Sequence, residues 1–88
     1  MAEKFVIFVA LKPESLLDLH ELAKRMRIEA LKNSACHHYE YHIHDNVLVI
    51  RFDQQWESGY SISAEHQNLI DQMIAASAVY DKIDQPKP

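Results

Sequence analysis

The segment Phe5-Val6-Ile7-Phe8-Val9-Ala10-Leu11 decides the fold of this chain. It is apolar without polar alternation, and most of its residues are β-branched or aromatic. This pattern is typical of a strand that is buried on both faces. We therefore predict a first strand over residues 5–11.

A helix is predicted after this strand. Lys12-Pro13-Glu14 breaks the strand, and Ser15 with Asp18 three residues later has the spacing of a helix N-terminal capping pair. Apolar residues then recur at steps of three and four residues, with charged residues on the other side, which indicates an amphipathic helix to about Asn33. The apolar positions are Leu16, Leu19, Leu22, Ala23, Met26 and Ala30.

A β-hairpin is predicted next. His37 to His44 and Val47 to Asp53 are β-like runs, and Asp45-Asn46 between them suggests a two-residue turn. That turn would pair Glu40 with Arg51, and alternation would then give the hairpin two faces. The polar face would carry His38, Glu40, His42 and His44 opposite Val47, Val49, Arg51 and Asp53. The core face would carry His37, Tyr39, Tyr41 and Ile43 opposite Leu48, Ile50, Phe52 and Gln54.

A second helix and a last strand complete the predicted elements. A turn-like segment at residues 58–61 holds the only glycine, and helical periodicity follows from Ile62 to near Ser77. Residues 78–83 could form a short edge strand, and residues 85–88 a frayed tail. The order strand, helix, strand, strand, helix, strand predicts an α+β, ferredoxin-like βαββαβ antiparallel sheet with both helices on one face.

The uncovered face of this sheet predicts a homodimer. Because the first strand is apolar on both sides, either Val6, Phe8 and Ala10 or the alternate set Phe5, Ile7, Val9 and Leu11 would face water in a monomer. A patch of that kind usually marks a contact surface. We expect two copies to pack sheet on sheet.

Composition excludes several other classes of protein. The chain has 88 residues, 48% hydrophobic and 25% charged, so we expect a single domain over residues 1–88. One cysteine, Cys36, excludes an internal disulfide framework. The net charge of −4 gives no footprint for nucleic acid or for an anionic membrane surface. The longest apolar run is too short to span a bilayer and no signal peptide is recognisable, so we expect a cytoplasmic protein.

Two segments resemble the antibiotic biosynthesis monooxygenase (ABM) domain family. Cys36-His37-His38-Tyr39-Glu40-Tyr41 follows a helix, and Val47 to Phe52 leads into Gln54-Gln55-Trp56-Glu57-Ser58. The resemblance implies a dimeric α+β barrel built from two ferredoxin-like sheets. The family includes cofactor-free oxygenases, haem-degrading enzymes and a sugar-phosphate isomerase, so the resemblance leaves the chemistry open. Of these activities, we expect oxidation of a small phenolic or quinol-type molecule by O2 without a cofactor.

The chain departs from the family pattern in three respects. The family's histidine lies nine residues beyond the tryptophan, where this chain has Glu65, and His66 follows one residue later. The segment from there to the last strand is several residues shorter than in the family. Haem-degrading relatives have an asparagine in the first strand, and residues 5–11 contain none, which disfavours haem cleavage.

The core face supplies a candidate site for a small aromatic molecule. Trp56 would join Tyr39, Tyr41 and Phe52 in an aromatic pocket between sheet and helices. His37 and His66 are the ionisable groups expected to reach this pocket, and an imidazole can take a proton from a phenol near neutral pH. These two histidines are the catalytic candidates, and the four aromatic residues are the substrate-binding candidates. The alternative is an ordinary hydrophobic core with the same aromatic residues as packing groups.

The histidines of the second strand suggest a different site. His38, His42 and His44 would share the polar face, and a His-x-His pair can bind one metal ion with a third ligand such as Glu40 or Asp53. The alternative is a dimer interface with cross-strand ion pairs. Three functions therefore remain open: a cofactor-free oxygenase, a non-catalytic dimeric ligand-binding or regulatory module, and a metal-binding barrel.

Overall fold

The computed structural model describes residues 2–14, 18–44 and 49–84. Within these ranges the elements are β1 (Ala2–Leu11), α1 (Leu19–Leu31), β2 (Cys36–Ile43), β3 (Val49–Glu57), α2 (Ala64–Ala76) and β4 (Ser77–Asp84). The strands form one sheet in the order β2-β3-β1-β4, and all neighbouring strands are antiparallel. The predicted α+β, ferredoxin-like order is confirmed.

Strand β1 lies in the interior of the sheet, between β3 and β4, as its apolar sequence requires. Its odd-numbered residues face the helices, and Val9, for example, is fully buried. Its even-numbered residues Val6, Phe8 and Ala10 lie on the uncovered side, where Phe8 is 36% exposed. We call this uncovered side the open face. Of the two sets considered from the sequence, the even-numbered one faces outward.

The two helices cover the core face with one apolar stripe each. These stripes pack on Tyr39, Ile50, Phe52 and Trp56 of the hairpin. The stripe of α1 consists of Leu19, Leu22, Ala23, Met26 and Ala30, and that of α2 of His66, Leu69 and Met73.

Each helix begins at a side-chain cap. The Asp18 carboxylate accepts a hydrogen bond from the Glu21 backbone N–H at 3.1 Å, and the Ser63 hydroxyl accepts one from the His66 N–H at 3.0 Å. Such caps satisfy backbone N–H groups that have no partner within the helix. The first helix therefore starts after Asp18, and the start predicted at Ser15 lies outside the described residues.

The register of the β2–β3 hairpin differs from the prediction by two residues. Glu40 pairs with Asp53 instead of Arg51, and the His44 N–H donates to the Val49 carbonyl at 2.8 Å. The predicted two-residue turn at Asp45-Asn46 lies outside the described residues. A shift by two residues keeps every side chain on its face, so the predicted faces are retained from His38 onward.

Candidate functional site

A cavity of about 230 Å³ lies between the core face and the helices. For comparison, an apolar cavity of about 150 Å³ can bind benzene, so this space fits one substituted aromatic ring. Its described lining residues are Phe5, Ile7, Met26, Tyr39, Phe52, Gln54, Trp56, Tyr60, Ile62, His66, Ile70, Tyr80 and Lys82.

Trp56 forms a fixed aromatic wall of this cavity. Strand alternation directs it inward together with Gln54, and its Nε1–H donates a 2.7 Å hydrogen bond to Gln54 Oε1. The chain then turns at Gly59, whose φ of 75° is in the region that glycine adopts without strain. The turn brings the Tyr60 ring onto the Trp56 ring, with centroids 4.7 Å apart. Hydrogen bond and stacking together hold the indole in one orientation.

His66 is the imidazole of the cavity. It lies in the first turn of α2, on the same buried stripe as Leu69 and Met73, and is 3% exposed. Its ring centroid is 5.9 Å from that of Trp56 and 6.3 Å from that of Tyr39. The one-residue offset from the family pattern therefore still places the histidine against the aromatic wall.

The protonation state of His66 follows from its surroundings. Its Nδ1 is buried and has no hydrogen-bond partner among the described residues. Burial lowers the pKa of His66, and this outweighs the opposite effect of the nearby Glu29 carboxylate. The imidazole is therefore neutral near pH 7, and none of the described residues forms a hydrogen bond with its Nδ1.

Tyr39 and Phe52 complete the inner wall. Both are almost fully buried, and their ring centroids are 5.7 Å apart. Burial strongly raises the pKa of Tyr39, so its hydroxyl remains protonated and does not act as a base near neutral pH. Tyr41 packs against Phe52 from the far side, with centroids 6.5 Å apart, and does not line the cavity.

The prediction that His37 faces the cavity is wrong. The β2–β3 register shifts between Cys36 and His38, so residue 37 is an extra residue in the strand. Such an irregularity breaks the alternation of faces and re-aims the side chain. His37 is exposed, and its Nε2 lies 2.6 Å from Glu57 Oε2.

Four cavity residues with polar side-chain groups were not among the sequence candidates: Gln54, Tyr60, Tyr80 and Lys82. Gln54 was expected on the core face but not as part of a site. Tyr80 and Lys82 come from β4, where they pair with Val9 and Ile7 and so share the helix-covered side. Only the pairing of β4 with β1 could have identified them, and local sequence does not show it.

The polar-face histidines do not form a metal site in the single chain. His42 Nε2 lies 3.2 Å from Asp53 Oδ2, and Arg51 contacts the same oxygen at 3.1 Å. Within residues 2–14, 18–44 and 49–84, no three His, Cys, Asp or Glu side chains are grouped to hold a metal ion. His38, His42 and His44 are therefore not brought together around one point.

Comparison with known proteins identifies the fold. No protein-family model and no curated protein matches the sequence. Among solved structures, an antibiotic biosynthesis monooxygenase matches with a TM-score of 0.80 at 12% identity, over 100% of this chain and 99% of that one. A conserved protein of Methanosarcina mazei matches with a TM-score of 0.81 at 18% identity, over 100% of this chain and 94% of that one. A protein of Mycobacterium tuberculosis matches with a TM-score of 0.79 at 11% identity, over 100% of this chain and 96% of that one.

These matches confirm the resemblance to antibiotic biosynthesis monooxygenases at the level of the fold. The likeness extends over the whole chain, including the region after residue 66 where the sequence resemblance is thin. Among the described residues, neither helix is long and apolar enough to cross a membrane. Since one fold supports several chemistries, the function must be argued from the cavity.

Proposed function

We propose that this protein is a cofactor-free monooxygenase that oxidises a small phenolic or quinol-type molecule with O2. The observation that carries the proposal is His66: a neutral imidazole with an unsatisfied buried nitrogen, on the wall of an aromatic cavity that fits one substituted ring. A buried polar atom without a partner is costly, and a functional role is one explanation for keeping it. The fold shared with antibiotic biosynthesis monooxygenases supports the same function.

The chemistry begins with a proton transfer to His66. The imidazole takes the proton of the substrate hydroxyl, and the electron-rich anion then transfers one electron to O2. The resulting radical and superoxide combine in a carbon–oxygen bond, and the peroxide anion takes the proton back from the His66 imidazolium to give a hydroperoxide. Where that carbon carries a hydrogen, the hydroperoxide loses water, leaving one oxygen atom in a new carbonyl group and the other in the water.

The remaining cavity residues bind and position the ring. Trp56 and Tyr60 offer a stacked aromatic surface, and Tyr39 and Phe52 close the inner wall. Aromatic rings that are offset or edge to face attract each other by about 0.5–1.5 kcal/mol beyond area burial. Tyr39 stays protonated, so the base in this cavity is His66.

Oxygen uptake with a panel of hydroquinones tests this function. A positioned base typically contributes a factor of about 10²–10⁴, so His66→Ala should lower the rate at least about a hundredfold. His20→Ala is the matched control, because His20 is an exposed histidine on α1. Equal rates in the His66 variant and the wild type would reject the role of His66. Ring binding without oxygen uptake by the wild type would indicate the non-catalytic binding module instead.

We also propose that two copies pair through their open faces. Phe8, Val79 and Ile83 are 36%, 42% and 51% exposed and lie together on that face, since Val79 pairs with Ala10 and Ile83 with Val6. Burying this apolar surface against a second copy is favourable by about 25 cal/mol per Å². Arg51 and Asp53 lie beside this apolar surface and form an ion pair with each other, so neither charge needs a partner in the second copy.

Analytical ultracentrifugation tests the pairing. The wild type should sediment as a dimer at micromolar concentration, and Phe8→Glu should sediment as a monomer, because two buried carboxylates would be costly. Ile28→Glu is the matched control, since Ile28 is 45% exposed on α1, away from the sheet. A monomeric wild type, or equal dissociation of both variants, would contradict the pairing.

A further inference from the structure

Lys82 brings a permanent positive charge to the cavity lining and forms no ion pair with a described residue. Among the described lining residues, Lys82 carries the one permanent charge and none is a carboxylate. Its position follows from the sheet: Lys82 pairs with Ile7 in the β1–β4 register, so its side chain is on the helix-covered side, as is that of Tyr80. The cavity therefore has a positive side chain at β4 and a neutral imidazole on α2.

The environment of the ammonium group supports a binding role. Lys82 Nζ lies 4.5 Å from the centroid of the Phe5 ring, within the range of a cation–π contact. Lys82 is exposed and forms no ion pair with any residue in the described part of the chain. Phe5 in turn packs near-parallel to Tyr60, with ring centroids 6.4 Å apart. The ammonium is thus held beside the aromatic wall while its hydrogen-bond donors remain available.

We infer that the substrate is a hydroxylated aromatic acid, with its carboxylate bound by Lys82 and its ring in the aromatic cavity. This inference rests on the proposed function and adds the charged group that the substrate carries. A carboxylate needs a cation or hydrogen-bond donors when it leaves water, and Lys82 supplies both at the cavity. The volume of about 230 Å³ limits the ligand to one ring with small substituents.

Anaerobic binding of a charged and a neutral ligand tests the inference. The probes are gentisate and its primary amide, which share the same ring and hydroxyl groups, measured by isothermal titration calorimetry under nitrogen. Because Lys82 is exposed, the wild type should bind gentisate about two- to fivefold more tightly than the amide. Raising the salt concentration should reduce this ratio, because Lys82 is exposed.

Three variants separate the charge from other effects of substitution. Lys82→Gln should bind both ligands with the affinity of the amide, whereas Lys82→Arg should keep the preference for the acid. Lys24→Gln, at an exposed lysine on α1, is the control and should behave as the wild type. An unchanged preference in Lys82→Gln would overturn the inference.

The outcomes also separate this inference from the proposed function. Equal wild-type binding of acid and amide, together with oxygen uptake on either, overturns the role of Lys82 and leaves the oxygenase. Preference for the acid without oxygen uptake on any substrate overturns the oxygenase and leaves an acid-binding site. Binding of neither ligand overturns the inference.

Discussion

Replacement of His66 by leucine should stabilise the fold while abolishing turnover. In the wild type, Nδ1 is buried without a described partner, and a buried polar atom in that state costs about 1–3 kcal/mol. Leucine of similar size removes this cost. It also loses two ring contacts, with Trp56 and Tyr39, at about 0.5 kcal/mol each. The expected net gain in the free energy of unfolding is about 1 kcal/mol, or about 4–8 °C in Tm for a domain of this size.

The gain should increase at acid pH. Burial lowers the pKa of His66 in the folded state, so the unfolded chain takes up this proton first as the pH falls below about 6.5. The wild type therefore loses stability between the unfolded and folded pKa values of His66, with a slope of at most about 1.4 kcal/mol per pH unit. His66→Leu lacks this component, and the other histidines affect both proteins equally.

Urea denaturation at a series of pH values from 8 to 5, at one fixed protein concentration, measures this difference. The protein concentration is kept fixed because self-association would make the apparent stability depend on that concentration. His20→Leu is the control, since His20 is exposed on α1 and does not line the cavity. The reasoning is refuted if His66→Leu is less stable than the wild type throughout, or if the two stability curves remain parallel as the pH falls.

Three further substitutions or reagents address the support of the cavity. Trp56→Phe removes the donor to the buried Gln54 Oε1 and should lower the free energy of unfolding by about 1–3 kcal/mol, and adding Gln54→Leu should recover part of this loss in urea denaturation. No recovery in the double variant would contradict the role of that bond. Ser63→Ala should cost about 1 kcal/mol in the same assay and Ser63→Asp much less, because the cap on the His66 N–H is lost only in the first. Burial raises the pKa of Cys36, so a thiol reagent at pH 8 should modify Cys36 more slowly than free cysteine. Equal rates of modification would contradict the raised pKa.

The parts of the fold that depend on local pattern were predictable. Residues 5–11 predicted a strand buried on both faces. In the structure β1 lies between two neighbours, but only its odd-numbered side is buried, and Phe8 on the other side is 36% exposed. The core face correctly collected Tyr39, Phe52 and Trp56, because a strand's alternation holds regardless of its partner. His66 was expected to reach the cavity, and it lies on a buried stripe of α2 with Leu69 and Met73.

The errors in the candidate site come from irregularities and from distant pairing. The register change beside His37 reverses one side chain, and no residue type in that segment announces it. The predicted hairpin register was derived from a turn at Asp45-Asn46, and the observed pairing of Glu40 with Asp53 differs from it by two residues. Lys82 was missed because its face depends on which residue of β1 it meets, a contact between opposite ends of the sequence.

The interior position of β1 has a consequence for synthesis on the ribosome. One edge of β1 pairs with β4, which is made after β1, β2 and β3, so that edge stays unpaired until β4 has left the exit tunnel. Throughout that interval the nascent chain exposes its most aggregation-prone stretch, and pairing between distant segments is slow. We therefore expect a chaperone that holds extended apolar peptides to engage residues 5–11 before the chain is released.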